Sequence, residues 1–238
     1  MTISKFSTPA FITTDDFSTN LEAMIGWIHQ IPSGLMAFPE VALTGFCYDR
    51  MAQAAAFGEE ALVTLCKALN DEQMIALTMI TADGATFRNE AFLITSQGIV
   101  FRQAKAKLFL LGKEDRYFAQ GSDEAIRWHE IGDLRIGMLV CFELRFIGLW
   151  QQLKGADVVV VPAMWGKERK DHYVTLCRAL ALTLQCYVVA ASSENHDMAG
   201  QSCVIDPWGE EIIAHGSNIA MKPFDRILMA TIRRQLPL

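Results

Sequence analysis

Three polar residues stand directly behind segments that otherwise read as core, and together they have the makings of an acyl-transfer site. Cys141 follows Leu134 to Val140, an apolar, β-favouring run, and precedes Glu143 to Lys154, whose spacing predicts an amphipathic helix. At such a strand-to-helix turn, backbone N–H groups and the positive end of a helix dipole favour a thiolate and any oxyanion forming beside it. Glu40 ends the run Leu35-Met36-Ala37-Phe38-Pro39, and Lys105 or Lys107 lies just beyond a strand at Ile99 to Arg102. A carboxylate in a partly dry site can take a thiol proton. A nearby ammonium and the Phe142 N–H would stabilise the oxyanion of a tetrahedral intermediate. Lys105 and Lys107 would face the same way on a strand, so periodicity does not choose between them.

The elements that must position these groups alternate along the chain. Apolar residues at helical spacing predict helices over Phe17 to Gln30, around Ala54 to Leu69, and over Arg169 to Leu184. Strands are expected at Leu35 to Phe38, Met74 to Ile80, Asp157 to Val161 and Tyr187 to Ala191. Asn89 to Thr95 and Ile99 to Arg102 read as a hairpin through Gln97-Gly98, and Ser202 to Ile205 and Glu211 to Ala214 flank the turn Asp206-Pro207-Trp208-Gly209. Ile227 to Ile232 reads as a last strand. Pro9 and Asp15-Asp16 leave room only for a short first strand. Several strands are apolar on both faces, which calls for sheets covered by helices, a layered α/β protein. No repeat or Pro/Gly/Ser linker divides residues 1–238, which read as one domain.

Composition narrows the function classes. The chain has 238 residues and a net charge of -6, with its Lys and Arg scattered, which argues against nucleic acid as partner. Its apolar stretches fall short of the roughly 18 residues of a membrane span, and the N-terminus lacks a signal-peptide core. A cytoplasmic protein is expected. The six cysteines form no CxxC pair, and the five histidines form no HxxxH or HExxH set, so neither disulfides nor a metal site is expected.

Four blocks in order resemble those of the nitrilase superfamily of carbon–nitrogen hydrolases. Phe38-Pro39-Glu40-Val41-Ala42-Leu43-Thr44-Gly45-Phe46 is similar to its FPE block, and Lys105-Ala106-Lys107-Leu108-Phe109 to its K-x-H-L-F block. Cys141-Phe142-Glu143-Leu144-Arg145-Phe146 is similar to its C-Y-D-x-R-F block, and the stretch from Gly200 to Glu210 to its G-x-S-x-V-I-x-P-x-G-E hairpin. The resemblance implies a four-layer αββα sandwich, paired into a homodimer or larger homo-oligomer. It also implies a Glu-Lys-Cys triad of Glu40, Lys105 and Cys141 that needs no cofactor. It selects Lys105, because Leu108-Phe109 follow it at the family's spacing, and it assigns Glu114 to the loop acid that holds the lysine or substrate. Tyr117 and Trp165 become candidate pocket residues. Where the family carries Arg-Ala-x-Glu-Asn, this chain has Leu180-Ala181-Leu182-Thr183-Leu184.

The reaction so implied is hydrolysis of a small amide or N-carbamoyl compound through a cysteine thioester. The competing classes are a catalytically silent scaffold of the same fold, a nitrile hydrolase, and a Cys–His hydrolase using His172, His196 or His215. Glu143 and Arg145 are expected to form a structural ion pair, and the other five cysteines to pack.

Overall fold

Alternating strand faces assemble two six-stranded sheets in the computed structural model, which describes residues 3–216 and 218–237. The first half of the chain runs β1 (Lys5–Pro9), α1 (Phe17–Gln30), β2 (Gly34–Ala37), α2 (Met51–Ala68), β3 (Gln73–Asp83), β4 (Thr86–Thr95) and β5 (Gly98–Ala104). The second half runs β6 (His129–Ile131), β7 (Leu134–Met138), α3 (Ile147–Gln152), β8 (Val158–Ala163), α4 (Lys170–Leu184), β9 (Tyr187–Ser192), β10 (Cys203–Ile205), β11 (Glu211–Ile213), β12 (Ile219–Pro223) and α5 (Arg226–Gln235). The sheets are ordered β12-β1-β2-β3-β4-β5 and β11-β10-β9-β8-β7-β6.

The period-2 rule explains how each sheet is covered on both sides. In β2, Leu35 and Ala37 face the other sheet while Met36 faces outward. In β3, Met74 and Ala76 point inward and Ile75 and Leu77 outward, and β4 does the same with Ala91 and Leu93 against Phe92 and Ile94. The inward set joins Ile136, Met138 and Val188 of the second sheet in one core. The outward set meets Met24 and Ile28 of α1 and Ala61 and Leu65 of α2. With Tyr173, Cys177, Leu180 and Leu184 of α4 buried on the far side, the layers read α, β, β, α. Asp16 caps α1 by accepting the Thr19 N–H at 2.7 Å.

Parallel pairing places the chemistry. β1, β2 and β3 run parallel, as do β7, β8 and β9. Glu40 therefore follows β2, Cys141 follows β7 and Met164-Trp165 follow β8, at the carboxyl ends of strands, where such sheets leave a crevice. β8 extends beyond the expected Val161 through Pro162. Val160 accepts the Leu139 N–H, so Pro162, two residues on, faces the side where the pairing of β7 has already stopped at Met138. Its missing donor costs no ladder bond there.

Two expected elements differ. Glu143 to Lys154 is not one helix: residues Cys141–Arg145 wind as a 3-10 turn, Phe146 is extended, and α3 covers only Ile147–Gln152. The cause is Glu143, which turns inward to accept backbone N–H groups from outside the turn. The segment read as a last strand, Ile227 to Ile232, lies within α5: Asp225 caps it by accepting the Leu228 N–H at 2.8 Å, and Met229 and Ile232, three apart, form its buried face. The strand that closes the first sheet is β12, pairing antiparallel with β1; of its residues only Ala220 is buried, which leaves a weak apolar signal. β6, an edge strand of three partly exposed residues, was equally silent.

Candidate active site

Glu40, Lys105, Glu114 and Cys141, spread over a hundred residues of sequence, share one buried cluster. Glu40 is 0% and Lys105 1% exposed. The Lys105 ammonium donates to Glu40 Oε1 at 2.7 Å and to Glu114 Oε1 at 2.8 Å. Glu40 Oε1 also accepts from Asn89 Nδ2 at 2.8 Å, and its Oε2 accepts from the Met164 N–H at 3.2 Å. Glu114 Oε2 accepts the Phe109 N–H at 3.0 Å. Glu40 and Lys105 both lie near enough to the Cys141 thiol to act on its titration.

The backbone holds both ends under strain. Cys141 has φ +48° and Val41, directly after Glu40, φ +43°, a region that costs a non-glycine residue about 1–2 kcal/mol. The Val41 N–H donates to Thr78 Oγ1 at 2.6 Å. Such strain persists only where surroundings over-determine it.

Charge within the cluster is set by burial and by these pairs. Burial alone would lower the Lys105 ammonium, but Glu40, Cys141 and Glu114 lift it above its ordinary range, so it stays protonated. Burial, reinforced by Glu40, pushes the Cys141 thiol well above its usual value, and the Lys105 charge only partly opposes this. Dehydration and the adjacent carboxylate outweigh whatever the five-residue turn contributes toward a thiolate, which leaves the thiol in need of a base. Burial raises Glu114 as well, more than Lys105 lowers it.

The two candidate lysines do not share a face. β5 ends at Ala104, so strand alternation does not extend to Lys107. Lys107 reaches the partly exposed Asp123 at 2.5 Å and lies over the Phe146 ring. The expected Glu143–Arg145 pair does not form. Glu143 is fully buried and accepts from Ala106 N–H at 2.5 Å and Val140 N–H at 2.6 Å, tying the lysine loop to the cysteine turn. Burial pushes its carboxyl up to about 7 despite these two donors. Arg145 instead lies over Trp165.

A small cleft opens beside Cys141, with Phe109, Phe142, Met164 and Trp165 among its walls. Trp165 is buried and donates through Nε1 to the Arg169 carbonyl at 2.8 Å. Phe142 packs edge-on to Phe146 and tilts against Phe109. The Phe142 N–H belongs to the first turn, whose amides have no carbonyl one turn back to donate to. Tyr117 is not brought to this cleft: it is 39% exposed and stacks on Tyr48 at 4.0 Å. Tyr48, which sequence reasoning passed over, is half-buried, and burial with the Glu114 and Glu40 charges raises its phenol. Its only sequence signal is its place two residues after the Phe38-to-Phe46 block. Asn89 was missed too, because a strand asparagine carries no motif.

Among the described residues no three His, Cys, Asp or Glu converge as a metal site, no helix is long and apolar enough to cross a membrane, and no histidine lines the Cys141 cleft. The other five cysteines are free, four of them buried. At the departure from the family's acidic pair, Leu184 is packed in the core and Thr183 is exposed.

The sequence pattern of the family described as carbon-nitrogen hydrolase matches residues 10–236. The chain is 26% identical to the 2-oxoglutaramate amidase of Bacillus subtilis (strain 168) over 216 residues, 85% of this chain and 82% of the relative. It is 26% identical to an omega-amidase of Escherichia coli (strain K12) over 223 residues, 91% and 84% of the two chains. Among solved structures, a CN-hydrolase superfamily protein of Xanthomonas campestris superposes with TM-score 0.85 at 22% identity, over 100% of this chain and 96% of that one. A mutant amidase of Nesterenkonia sp. AN1, solved with butyramide, gives TM-score 0.80 at 17% identity, over 98% and 95%. At these identities the structures speak for the fold.

Proposed function

Because the chain belongs to the carbon–nitrogen hydrolase family, we propose that it hydrolyses the amide bond of a small molecule, with Cys141 as nucleophile, Glu40 as general base and Lys105 as oxyanion holder. The observation that carries this reading is one buried carboxylate, Glu40, that accepts from the Lys105 ammonium at 2.7 Å and lies near enough to the Cys141 thiol to act on its titration.

The raised thiol dictates the first step. At neutral pH the sulfur is protonated, so attack on the carbonyl carbon requires transfer of its proton to Glu40 as the C–S bond forms. The developing oxyanion lies near the Lys105 ammonium and the Phe142 N–H. Collapse breaks the C–N bond, and Glu40 returns its proton to the departing nitrogen, leaving a thioester. Water enters, loses a proton to Glu40 and attacks the thioester carbon. Collapse of the second tetrahedral species releases the carboxylic acid and restores the thiol. Glu114 takes no proton in this sequence; it holds Lys105 through a second hydrogen bond.

The cleft beside Cys141 is small, which favours a compact substrate over a peptide. The amidase relatives point the same way. The test is release of ammonia from a panel of small amides, with Cys141→Ala as control. Unchanged turnover in that variant would overturn the reading. A thioester-sized mass increment on Cys141 during turnover supports it.

A further inference from the structure

Asn89 stands in β4, where alternation puts its side chain on the inward face with Ala91 and Leu93. It holds two residues of the cluster at once. Its backbone carbonyl accepts the Lys105 N–H at 2.8 Å, and its Nδ2 donates to Glu40 Oε1 at 2.8 Å. The Lys105 ammonium donates to that same oxygen at 2.7 Å. Asn89 is 1% exposed, and its Oδ1 is buried with no hydrogen-bond partner among the described residues. A carboxylate only accepts, so the amide cannot be turned over to satisfy that oxygen without aiming it at Glu40. A leucine of similar size would leave no orphan acceptor, so packing alone does not account for an asparagine here.

The donors divide the two oxygens of Glu40 by role. Each carboxylate oxygen has two lone pairs. Those of Oε1 are taken by Lys105 and Asn89, whereas Oε2 accepts only the Met164 N–H, at 3.2 Å, among the described residues. We propose that Asn89 is a positioning residue that, together with Lys105, fills Oε1 and so fixes Oε2 as the oxygen that takes the Cys141 proton and returns it to the leaving nitrogen. This rests on the acyl-transfer reading of Cys141. Without Asn89 a lone pair on Oε1 is freed. A proton settling there weakens the bond that holds the Lys105 ammonium in place.

Asn89→Leu is the test. It removes a charge-assisted donor and an orphan acceptor, effects of similar size and opposite sign. The urea midpoint is therefore expected to stay near the native value, while kcat for ammonia release from the fastest amide of the panel, butyramide among those tried, falls roughly ten- to a hundredfold. KM stays within several-fold, because Asn89 does not line the cleft. Asn89→Asp has a donor for Oε1 only when the introduced carboxyl is protonated, so its rate relative to the native protein rises as pH falls from 8 to 5. Glu40, Lys105, Glu114 and Cys141 surround the position in both proteins, so the ratio reads the introduced group. A kcat that falls only in step with the folded fraction, or a flat ratio for Asn89→Asp, overturns the positioning role. Were Asn89→Leu to unfold, that ratio alone decides. Activity lost in Cys141→Ala but kept in Asn89→Leu sinks the role of Asn89 and leaves acyl transfer standing. Activity kept in Cys141→Ala but reduced in Asn89→Leu does the reverse, with Glu40 serving another nucleophile.

Discussion

Lys105 donates to Glu40 at 2.7 Å with both side chains out of solvent, so neither charge can be removed without stranding the other. Breaking a buried pair from one side costs about 3–5 kcal/mol, whereas a partly exposed pair contributes about 0–1 kcal/mol. The two lysines of the same block therefore make opposite predictions.

Lys105→Met is expected to lose activity and about 3–5 kcal/mol of stability. Lys107→Met loses its partly exposed contact with Asp123 and is expected to cost less than about 1 kcal/mol and leave turnover within several-fold. Urea unfolding and ammonia release measure both. Equal losses in the two variants would show that Lys105 has no special role.

Cys141→Ala removes the buried sulfur and leaves the backbone as it is, so a folded, inactive protein is expected, with kcat down by roughly four orders of magnitude or more. Because burial and Glu40 hold the thiol protonated, iodoacetamide should alkylate Cys141 slowly at pH 7 and faster as pH rises. Rapid labelling at pH 6 would contradict a thiol resting state.

Glu114→Gln keeps shape but replaces the charged partner of Lys105. Loss of one charge-assisted hydrogen bond, about 1.5–3 kcal/mol, corresponds to roughly a ten- to hundredfold fall in kcat. A positioning role predicts a shifted pH profile as well, because the charge balance around Lys105 and Cys141 changes. A variant with lower stability and an unaltered profile would reduce Glu114 to scaffolding.

Glu143 titrates near 7 in the folded chain against about 4.3 when unfolded. Between these values the native state holds a proton that the unfolded state has released. Its contribution to stability is therefore fully present below pH ~4 and is lost as pH climbs to 7. Glu143→Gln should flatten that slope between pH 5 and 8 in denaturant titrations. It should also destabilise by about 1–3 kcal/mol, since an amide offers one oxygen to the two N–H donors of Val140 and Ala106. An unchanged slope would show that another group titrates there.

The chain alone was enough to call for a layered α/β fold, because period-2 and period-3.6 apolar patterns are properties of neighbours in sequence. It also marked Glu40, Cys141 and a lysine as residues behind strand ends, since each interrupts an apolar run. Ile227 to Ile232 misled because six mostly apolar residues fit either period, and only the Asp225 cap and the packing of Met229 and Ile232 decided for a helix. Block spacing singled out Lys105 over Lys107, but only folding set Lys105 against two carboxylates and sent Lys107, beyond the end of β5, to Asp123. It also turned Glu143 inward, splitting the expected helix, and raised the Cys141 thiol. It drew Arg145 and Arg169 to one cleft from either end of β8. Charge state and convergence depend on what is buried beside what, and that is set by distances between residues far apart in the chain.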